Sequence, residues 1–276
     1  MNGKYIHKAL IGAALAAALF PMASHAAIDL GSAGHYAVLA GSTVTNTGPT
    51  TIVGSVGVSP GSAVTGFPPG SVTGGIVSAG NSVTATAQAD LLKAYDAAVA
   101  LVPGQVLSGQ NLGGMTLQPG TYSFATSAQL SGILTLDYLG DPDAQFVFQI
   151  GSTLTTGSMA SVISTNGGSA SGDSVFWQIG SSATLGTGTS FAGHLLAYQS
   201  ITLGTGANID LGSALAINGA VTLDSNRVVA LSPVPEPELA ALFLAGTGLI
   251  GFIGLQKRRR ARYSAVAGAA RRAACA

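Results

Sequence analysis

From Phe148 onwards the chain repeats itself. Phe148-Gln149-Ile150-Gly151-Ser152-Thr153-Leu154-Thr155-Thr156-Gly157 returns as Trp177-Gln178-Ile179-Gly180-Ser181-Ser182-Ala183-Thr184-Leu185-Gly186-Thr187-Gly188. It returns again as Tyr198-Gln199-Ser200-Ile201-Thr202-Leu203-Gly204-Thr205-Gly206, and fades in Ile217-Asn218-Gly219-Ala220-Val221-Thr222-Leu223-Asp224-Ser225-Asn226. The later copies begin about 20 residues apart, within the range of solenoid coils. The loop from Ser164 to Asp173 lengthens the first interval. A unit this short cannot bury its own apolar side, so successive units have to stack. Glycine supplies the corners, and Thr, Val and Ile suit the short pleated strands between them. The repeat therefore predicts an all-β solenoid, a parallel β-helix of about 20-residue coils.

Stacking would set equivalent residues about 4.8 Å apart and line them up in columns. One expected column is an amide ladder of Gln149, Gln178, Gln199 and Asn218. Others are Thr153, Thr184, Thr202 and Thr222, then Leu154, Leu185, Leu203 and Leu223, then Thr156, Thr187, Thr205 and Ser225. Alternation along each strand turns the Leu column inward and leaves neighbouring hydroxyls outside. The earlier part, Ile28 to Gly80, reads as strands and turns, best at Ala37 to Ala40 and Thr51 to Val58. One segment departs from this pattern. Thr84 to Val102 is Ala-rich, with Leu91, Tyr95, Ala98, Val99 and Val102 at helical spacing, and Pro103-Gly104 ends it. A single amphipathic helix of this kind, about 84–102, is expected to lie along the stack and cover one face.

Only 8% of the 276 residues are charged, and the 11 basic and 11 acidic side chains are unevenly placed. Lys4, His7 and Lys8 precede the apolar run Ala9 to Phe20 and the small-residue stretch ending at Ala26, the pattern of a signal peptide over residues 1–26. At the far end, Leu239 to Leu255 is apolar but for Thr247 and just long enough to cross a hydrocarbon core. Lys257, Arg258, Arg259, Arg260 and Arg262 come directly after it, so the basic tail 256–276 is expected on the cytoplasmic side. Residues 233–238, which contain Pro235-Glu236-Pro237, read as a stiff linker. The domain between, 27–232, keeps only Lys93 and Arg227 as basic groups against nine Asp, which argues against nucleic acid as a partner. Its two histidines, His35 and His194, are not at metal-ligand spacing, and Asp141-Pro142-Asp143 reads first as a turn. No nucleophile elbow, Walker loop or His-Glu-x-x-His motif occurs, so neither catalysis, a metal nor a cofactor is expected.

Two resemblances sharpen this reading. The order Pro-Glu-Pro, apolar helix, basic end resembles the PEP-CTERM sorting signal of Gram-negative bacteria. That implies processing by an exosortase-type enzyme, transient anchoring in the inner membrane, and delivery to the outer membrane, the cell surface or an exopolysaccharide matrix. The domain itself resembles the ice-binding-protein-like family. The stretches that carry this are Ala37-Val38-Leu39-Ala40-Gly41-Ser42-Thr43-Val44-Thr45-Asn46-Thr47-Gly48, Ile52-Val53-Gly54-Ser55-Val56-Gly57-Val58-Ser59-Pro60, Leu117-Gln118-Pro119-Gly120-Thr121-Tyr122, Gly140-Asp141-Pro142-Asp143 and the Thr-Leu-Gly-Thr-Gly coils. The family implies a discontinuous β-solenoid with one long helix alongside, and an ice-contacting face bearing Thr-Ala/Gly-x-Thr/Asn motifs. That motif falls here at Thr47-Gly48-Pro49-Thr50 and Thr205-Gly206-Ala207-Asn208, with Thr187-Gly188-Thr189-Ser190 close to it. The resemblance thus marks Thr47, Thr50, Thr187, Thr189, Thr205 and Asn208 as candidate contacts for an ice crystal. A surface adhesin or matrix component that binds extracellular polysaccharide on the same scaffold is the alternative. Deleting Pro235 to Ala276 should abolish attachment to the cell surface or matrix while leaving the domain folded, as fractionation and circular dichroism would show; unchanged retention would refute the sorting assignment.

Overall fold

The structure, a computed structural model, describes residues 28–167 and 174–230. The expected leader, Pro-Glu-Pro linker, apolar helix and basic tail lie outside these residues. Among the described residues no helix is long and apolar enough to cross a membrane.

The strands wind into a three-sided parallel stack. Among the described residues they form a 15-stranded and a 7-stranded sheet in which the paired strands run parallel. The smaller sheet is one side: Ala128–Leu130, Leu154–Thr156, Ala183–Leu185, Ile201–Leu203, Val221–Asp224, Thr43–Thr47 and Ala63–Thr65, in spatial order. The larger sheet is folded into the other two sides, because the strands Ser190–Ala197 and Asn208–Ala216 run across the corner between them. At that corner Gly193 and Gly212 have φ of 99° and 151°, and a Cβ on Gly212 would sit 2.1 Å from the Gly193 carbonyl oxygen. Only glycine permits successive coils to approach so closely there.

The winding is discontinuous. Tyr36–Ala40, Thr43–Thr47 and Thr51–Val53 form one coil, and Ser55–Val58, Ala63–Thr65 and Ser71–Thr73 the next. A helix, Ser82–Ala100, then carries the chain back along the stack, and coils from Gln105 onwards climb towards the starting point. The last of these closes on the first: Ala214 pairs with Val38, Thr222 with Thr45 and Val228 with Ile52. Residues far apart in sequence therefore sit in adjacent rungs.

The interior is packed in columns. Tyr122, Phe148 and Trp177 are stacked in register, with ring centroids 5.4 Å and 3.9 Å apart, and the same column continues as Leu195, Ala214, Val38 and Val56. Trp177 Nε1 donates to the Ala192 carbonyl at 3.1 Å, so the buried indole keeps a partner. At the corners, inward polar side chains satisfy carbonyls that the sheets leave free. Asn226 Nδ2 donates to Gly204 O and Ala207 O, and Asn46 Nδ2 to Gly48 O and Gly66 O. Two coils away Thr189 does the same for Gly157 O, and Thr156, hydrogen-bonded to Thr189, accepts from Gly186 N.

The helix covers one side, as the sequence predicts, but its buried stripe differs. Asn81 caps it through a reciprocal pair of bonds with Thr84. The buried residues are Thr84, Ala87, Leu91, Ala94, Tyr95 and Ala98, whereas Val99 and Val102 are 52% and 86% exposed. Positions 84, 87, 91, 94 and 98 keep spacings of three and four, and Val99 is rotated out of that stripe by about 100°. The small alanines let the helix approach Val147, Phe176, Leu196, Leu215 and Leu39 on the sheet. Side chains from both layers then tie it down: from the helix Gln88 Nε2 donates to Ala216 O, and from the sheet Gln178 Nε2 donates to Tyr95 Oη and Gln149 Nε2 to the carbonyls of Ala98 and Leu101 at 2.7 and 2.8 Å. Gln149 thus satisfies carbonyls at the helix C-terminus. The expected amide ladder is confined to Gln149 and Gln178, because Gln178 pairs with Leu196 rather than Gln199.

This packing has consequences for stability. Leu185 and Leu203 are paired in register and at most 1% exposed, so either Leu→Asp change should cost about 3 kcal/mol or more and unfold the stack. Wild-type melting of either variant would show that these side chains do not face the core. His194 is 3% exposed between sheet and helix, facing Ser213 Oγ at 2.5 Å and the Phe176 ring, and burial lowers its pKa to about 4. Below about pH 6.5 the unfolded chain takes up a proton that the folded chain refuses until about pH 4. Stability should therefore fall across that window, with a slope approaching 1.4 kcal/mol per pH unit. Urea titrations at several pH values should show this slope, and His194→Gln should flatten it.

Candidate functional site

The seven-stranded side carries a row of identical outward side chains. On five of its strands the first and third residues point inward and the second points out: Ala128, Leu154, Ala183, Ile201 and Val221 are buried, as are Leu130, Thr156, Leu185, Leu203 and Leu223. The middle positions are Gln129, Thr155, Thr184, Thr202 and Thr222, all exposed. The row continues through Thr45, half-buried, and Thr65, exposed. Gln129 pairs with Thr155, Thr155 with Thr184, Thr184 with Thr202, Thr202 with Thr222, Thr222 with Thr45 and Thr45 with Thr65. Six threonines thus stand in consecutive rungs at the strand spacing of about 4.8 Å. β-Branching restricts χ1, so the row presents methyl and hydroxyl groups with little rotational freedom.

A second hydroxyl row runs beside the first. Leu154 N donates to Ser182 O, Ala183 N to Ser200 O and Ile201 N to Ala220 O, so Thr153, Ser182 and Ser200 occupy successive rungs one position before the strands. Thr153 Oγ1 donates to Ser127 Oγ at 2.8 Å, extending this row by one rung. The register corrects the sequence alignment in its first copy. Thr155, not Thr153, stands level with Thr184, Thr202 and Thr222, and Thr156, not Leu154, stands level with Leu185 and Leu203. The sequence Leu-Thr-Thr against Ala-Thr-Leu permits two alignments, and only strand pairing chooses between them.

Charge avoids this side. Of the charged residues described, Asp90, Lys93 and Asp96 lie on the helix, Asp137, Asp141 and Asp143 lie in or beside the turn at the end of strand Ile133–Asp137, and Asp210 pairs with Arg227 on the third side. Asp224 alone borders the threonine side, and it is held at the corner, where Thr205 Oγ1 and Ser225 Oγ donate to its carboxylate. The Asp90 carboxylate, which accepts from Ser32 N and Oγ and from Lys93, has its pKa lowered to about 2.

The six residues marked by the Thr-Gly-x-Thr/Asn pattern do not form one surface. Thr47, Thr187 and Thr205 are exposed along the corner bordering the threonine row, where Gly188 N donates to Thr205 O and Thr47 stands level with Asp224. Thr50 and Thr189 are 1% and 0% exposed, with Thr50 Oγ1 accepting from Asn226 N, so their hydroxyls are spent inside the stack. Asn208 is half-buried on the third side, where its Oδ1 accepts from Arg227 N. The pattern crosses a corner: its first residue is outside, and its last is turned in or carried onto the next side. The sequence signal for the outward row is instead the second residue of the strands starting at Leu154, Ala183, Ile201 and Val221, joined by Thr45 and Thr65 of the first two coils.

The comparisons with known proteins agree with this architecture. A family model described as Ice-binding-like matches residues 38–229. An ice-binding protein of Nostoc sp. (strain HG1) is 54% identical over 83% of this chain and 87% of its own length. The crystal structure of an ice-binding protein from an Antarctic biological consortium superposes with a TM-score of 0.70 at 47% identity, covering 74% of this chain and 90% of that one. That of an ice-binding protein from the ascomycete Antarctomyces psychrotrophicus gives 0.71 at 40% identity, over 75% and 99%.

Proposed function

Because the chain belongs to the Ice-binding-like family, we propose that it binds ice, and that the contact is the row Thr65, Thr45, Thr222, Thr202, Thr184 and Thr155. The observation that carries the reading is that single row: six threonines, one per rung, on a side whose one charge among the described residues, Asp224, is held at its edge by Thr205 and Ser225.

Ice offers an array of water molecules rather than a pocket filler. A protein recognises it by holding many waters in places compatible with the lattice, each contact weak and the sum large. A charged side chain would orient its own hydration shell against that lattice. A threonine adds a methyl group that excludes disordered water and a hydroxyl that bonds to ordered water. Holding a bridging water costs between about 0 and 2 kcal/mol, and a rigid surface keeps the cost of ordering the protein itself low. The ladder of main-chain bonds below each threonine supplies that rigidity. Thr47, Thr187 and Thr205 extend the surface at its corner, whereas Thr50, Thr189 and Asn208 make no contact in this reading. The activity is antifreeze or inhibition of ice recrystallisation, a binding function without catalysis. Export by the N-terminal leader and sorting through Pro235-Glu236-Pro237 complete the proposal and put the domain outside the cell.

The outward positions of the threonine strands hold no aromatic ring on which a sugar could stack, which favours ice over polysaccharide for this side. Placing a large side chain in the row tests the assignment. Thr202→Tyr and Thr222→Tyr should abolish crystal shaping and recrystallisation inhibition while changing stability by no more than about 0.5 kcal/mol, as surface substitutions usually do. Ser190→Tyr, exposed on the third side, should leave both activities intact. Equal loss from all three, or from none, would exclude the threonine row as the contact.

A further inference from the structure

We infer that Met159 is a further ice contact, an apolar shoulder that widens the threonine side at the corner where Thr187 and Thr205 stand. The inference rests on the ice reading and adds to it a residue type and a place that the threonine row does not predict.

The corner is a column of left-handed residues. Met159 N donates to Thr187 O, Gly188 N to Thr205 O, Gly206 N to Asp224 O and Ser225 N to Thr47 O, so Met159, Gly188, Gly206, Ser225 and Gly48 hold equivalent places on successive coils. Their φ angles are 59°, 66°, 69°, 55° and 78°. Glycine takes that conformation freely, whereas a β-carbon makes it unfavourable. Ser225 offsets the cost with a hydrogen bond from its Oγ to the Asp224 carboxylate. A thioether has no donor with which to do the same. Yet the Met159 side chain is 75% exposed, so it contributes little to the core either. An unfavourable backbone held for the sake of an outward apolar group marks a contact surface.

The direction of that group is fixed by the next coil. A Cβ on Gly188 would lie 2.5 Å from Met159 Sδ. The methionine therefore lies across the bare backbone of Gly188, directly after Thr187, in room that a side chain at position 188 would fill. From Thr184 the outward surface runs past Gly186, which has no side chain, to Thr187 and then to the thioether. Asp224, the one charge of this corner among the described residues, stands three coils from Met159, with its carboxylate bonded to Thr205 and Ser225. Methionine is long, unbranched and polarizable, so it follows an irregular edge that a threonine would not reach. It excludes disordered water without orienting a hydration shell of its own, which suits the rim of an ice contact.

Leu139 is the matched control. Its backbone is also left-handed, with φ of 54°, and it is 59% exposed. It sits in the turn after strand Ile133–Asp137, at the corner between the third side and the helix side, which the threonine side does not touch. Ile133 and Ile163, 52% and 41% exposed, stand outward on the strands that follow the methionine corner. The rival occupant of the shoulder is therefore a second copy of this chain.

Met159→Gly, Met159→Leu and Leu139→Gly, each made in the full chain, are compared with the unaltered protein for recrystallisation inhibition, thermal melting and sedimentation. Met159→Gly should raise the concentration that halts recrystallisation by about threefold or more, the scale of covering part of an apolar side chain. Its melting temperature should be unchanged or higher, because glycine relieves the left-handed backbone. Met159→Leu and Leu139→Gly should both inhibit as the unaltered protein does. Full inhibition by Met159→Gly, or an equal loss in either of the other variants, would overturn the inference. A loss that comes with a lower melting temperature would make Met159 a structural residue, and one that comes with a shift from dimer to monomer would assign the shoulder to a second copy; both overturn it. If the unaltered protein does not inhibit recrystallisation, the ice reading itself fails, a result distinct from full inhibition by Met159→Gly.

Discussion

The parallel main-chain ladder is the constraint on which everything else in this molecule depends. Each coil donates and accepts its hydrogen bonds with the coils above and below, so identical positions are locked at one spacing through the length of the stack. A ladder of this kind tolerates few exceptions at its corners. The glycines there are held against carbonyls of the next coil, and a Cβ on Gly180 would lie 2.5 Å from Gly151 O. Where the corners leave carbonyls unpaired, Asn46, Asn226 and the Thr156–Thr189 pair satisfy them from inside. The interior is therefore apolar along the sides and hydrogen-bonded at the corners. A buried polar group without such a partner would cost on the order of 1–3 kcal/mol, which explains why these hydroxyls and amides point inward at all.

From the ladder comes a division of labour among the three sides. One is covered by the helix, whose alanines permit close packing and whose C-terminal carbonyls are held by Gln149. It contains the buried histidine and most of the polar ties between layers. A second side carries the Asp210–Arg227 pair and, with the adjoining corner, most of the remaining charge. The third is left with threonine. Because its strands are only three or four residues long over most of the stack, each contributes essentially one outward side chain, and a single residue choice per coil is enough to write a surface. A substitution at one of these outward positions changes what the side presents without disturbing the core beneath it.

Much of the architecture is legible in the residues because repetition is a one-dimensional property. The spacing of the Gly-Thr-Leu coils, the alternation that buries Leu185 and Leu203, and the break in pattern at the helix are all visible in order along the chain. The departures from that reading have a common physical origin. The Leu154-Thr155-Thr156 coil aligns two residues out in sequence because its inward third position is a threonine, and a hydroxyl at that place looks like a surface residue until Thr189 is seen beside it. Gln199 falls in line with Gln178 because the residues around it repeat, yet Tyr198 and Gln199 already belong to a corner. Thr50 and Asn208 carry the expected motif but sit past a turn, where side-chain direction no longer obeys alternation.

The amino-acid order alone dictates that this chain stacks in short coils with glycine corners and keeps charge out of them, because periodicity and composition act locally. It also dictates that the basic residues lie mainly at the two ends. Which threonines share a surface was decided only when the strands paired, since a shift of one residue turns a side chain from solvent to core. The row runs from Thr155 through Thr222 to Thr45 and Thr65, and so crosses from the end of the domain's sequence back to its beginning. No local pattern encodes that continuity. It exists because the last coil closes on the first.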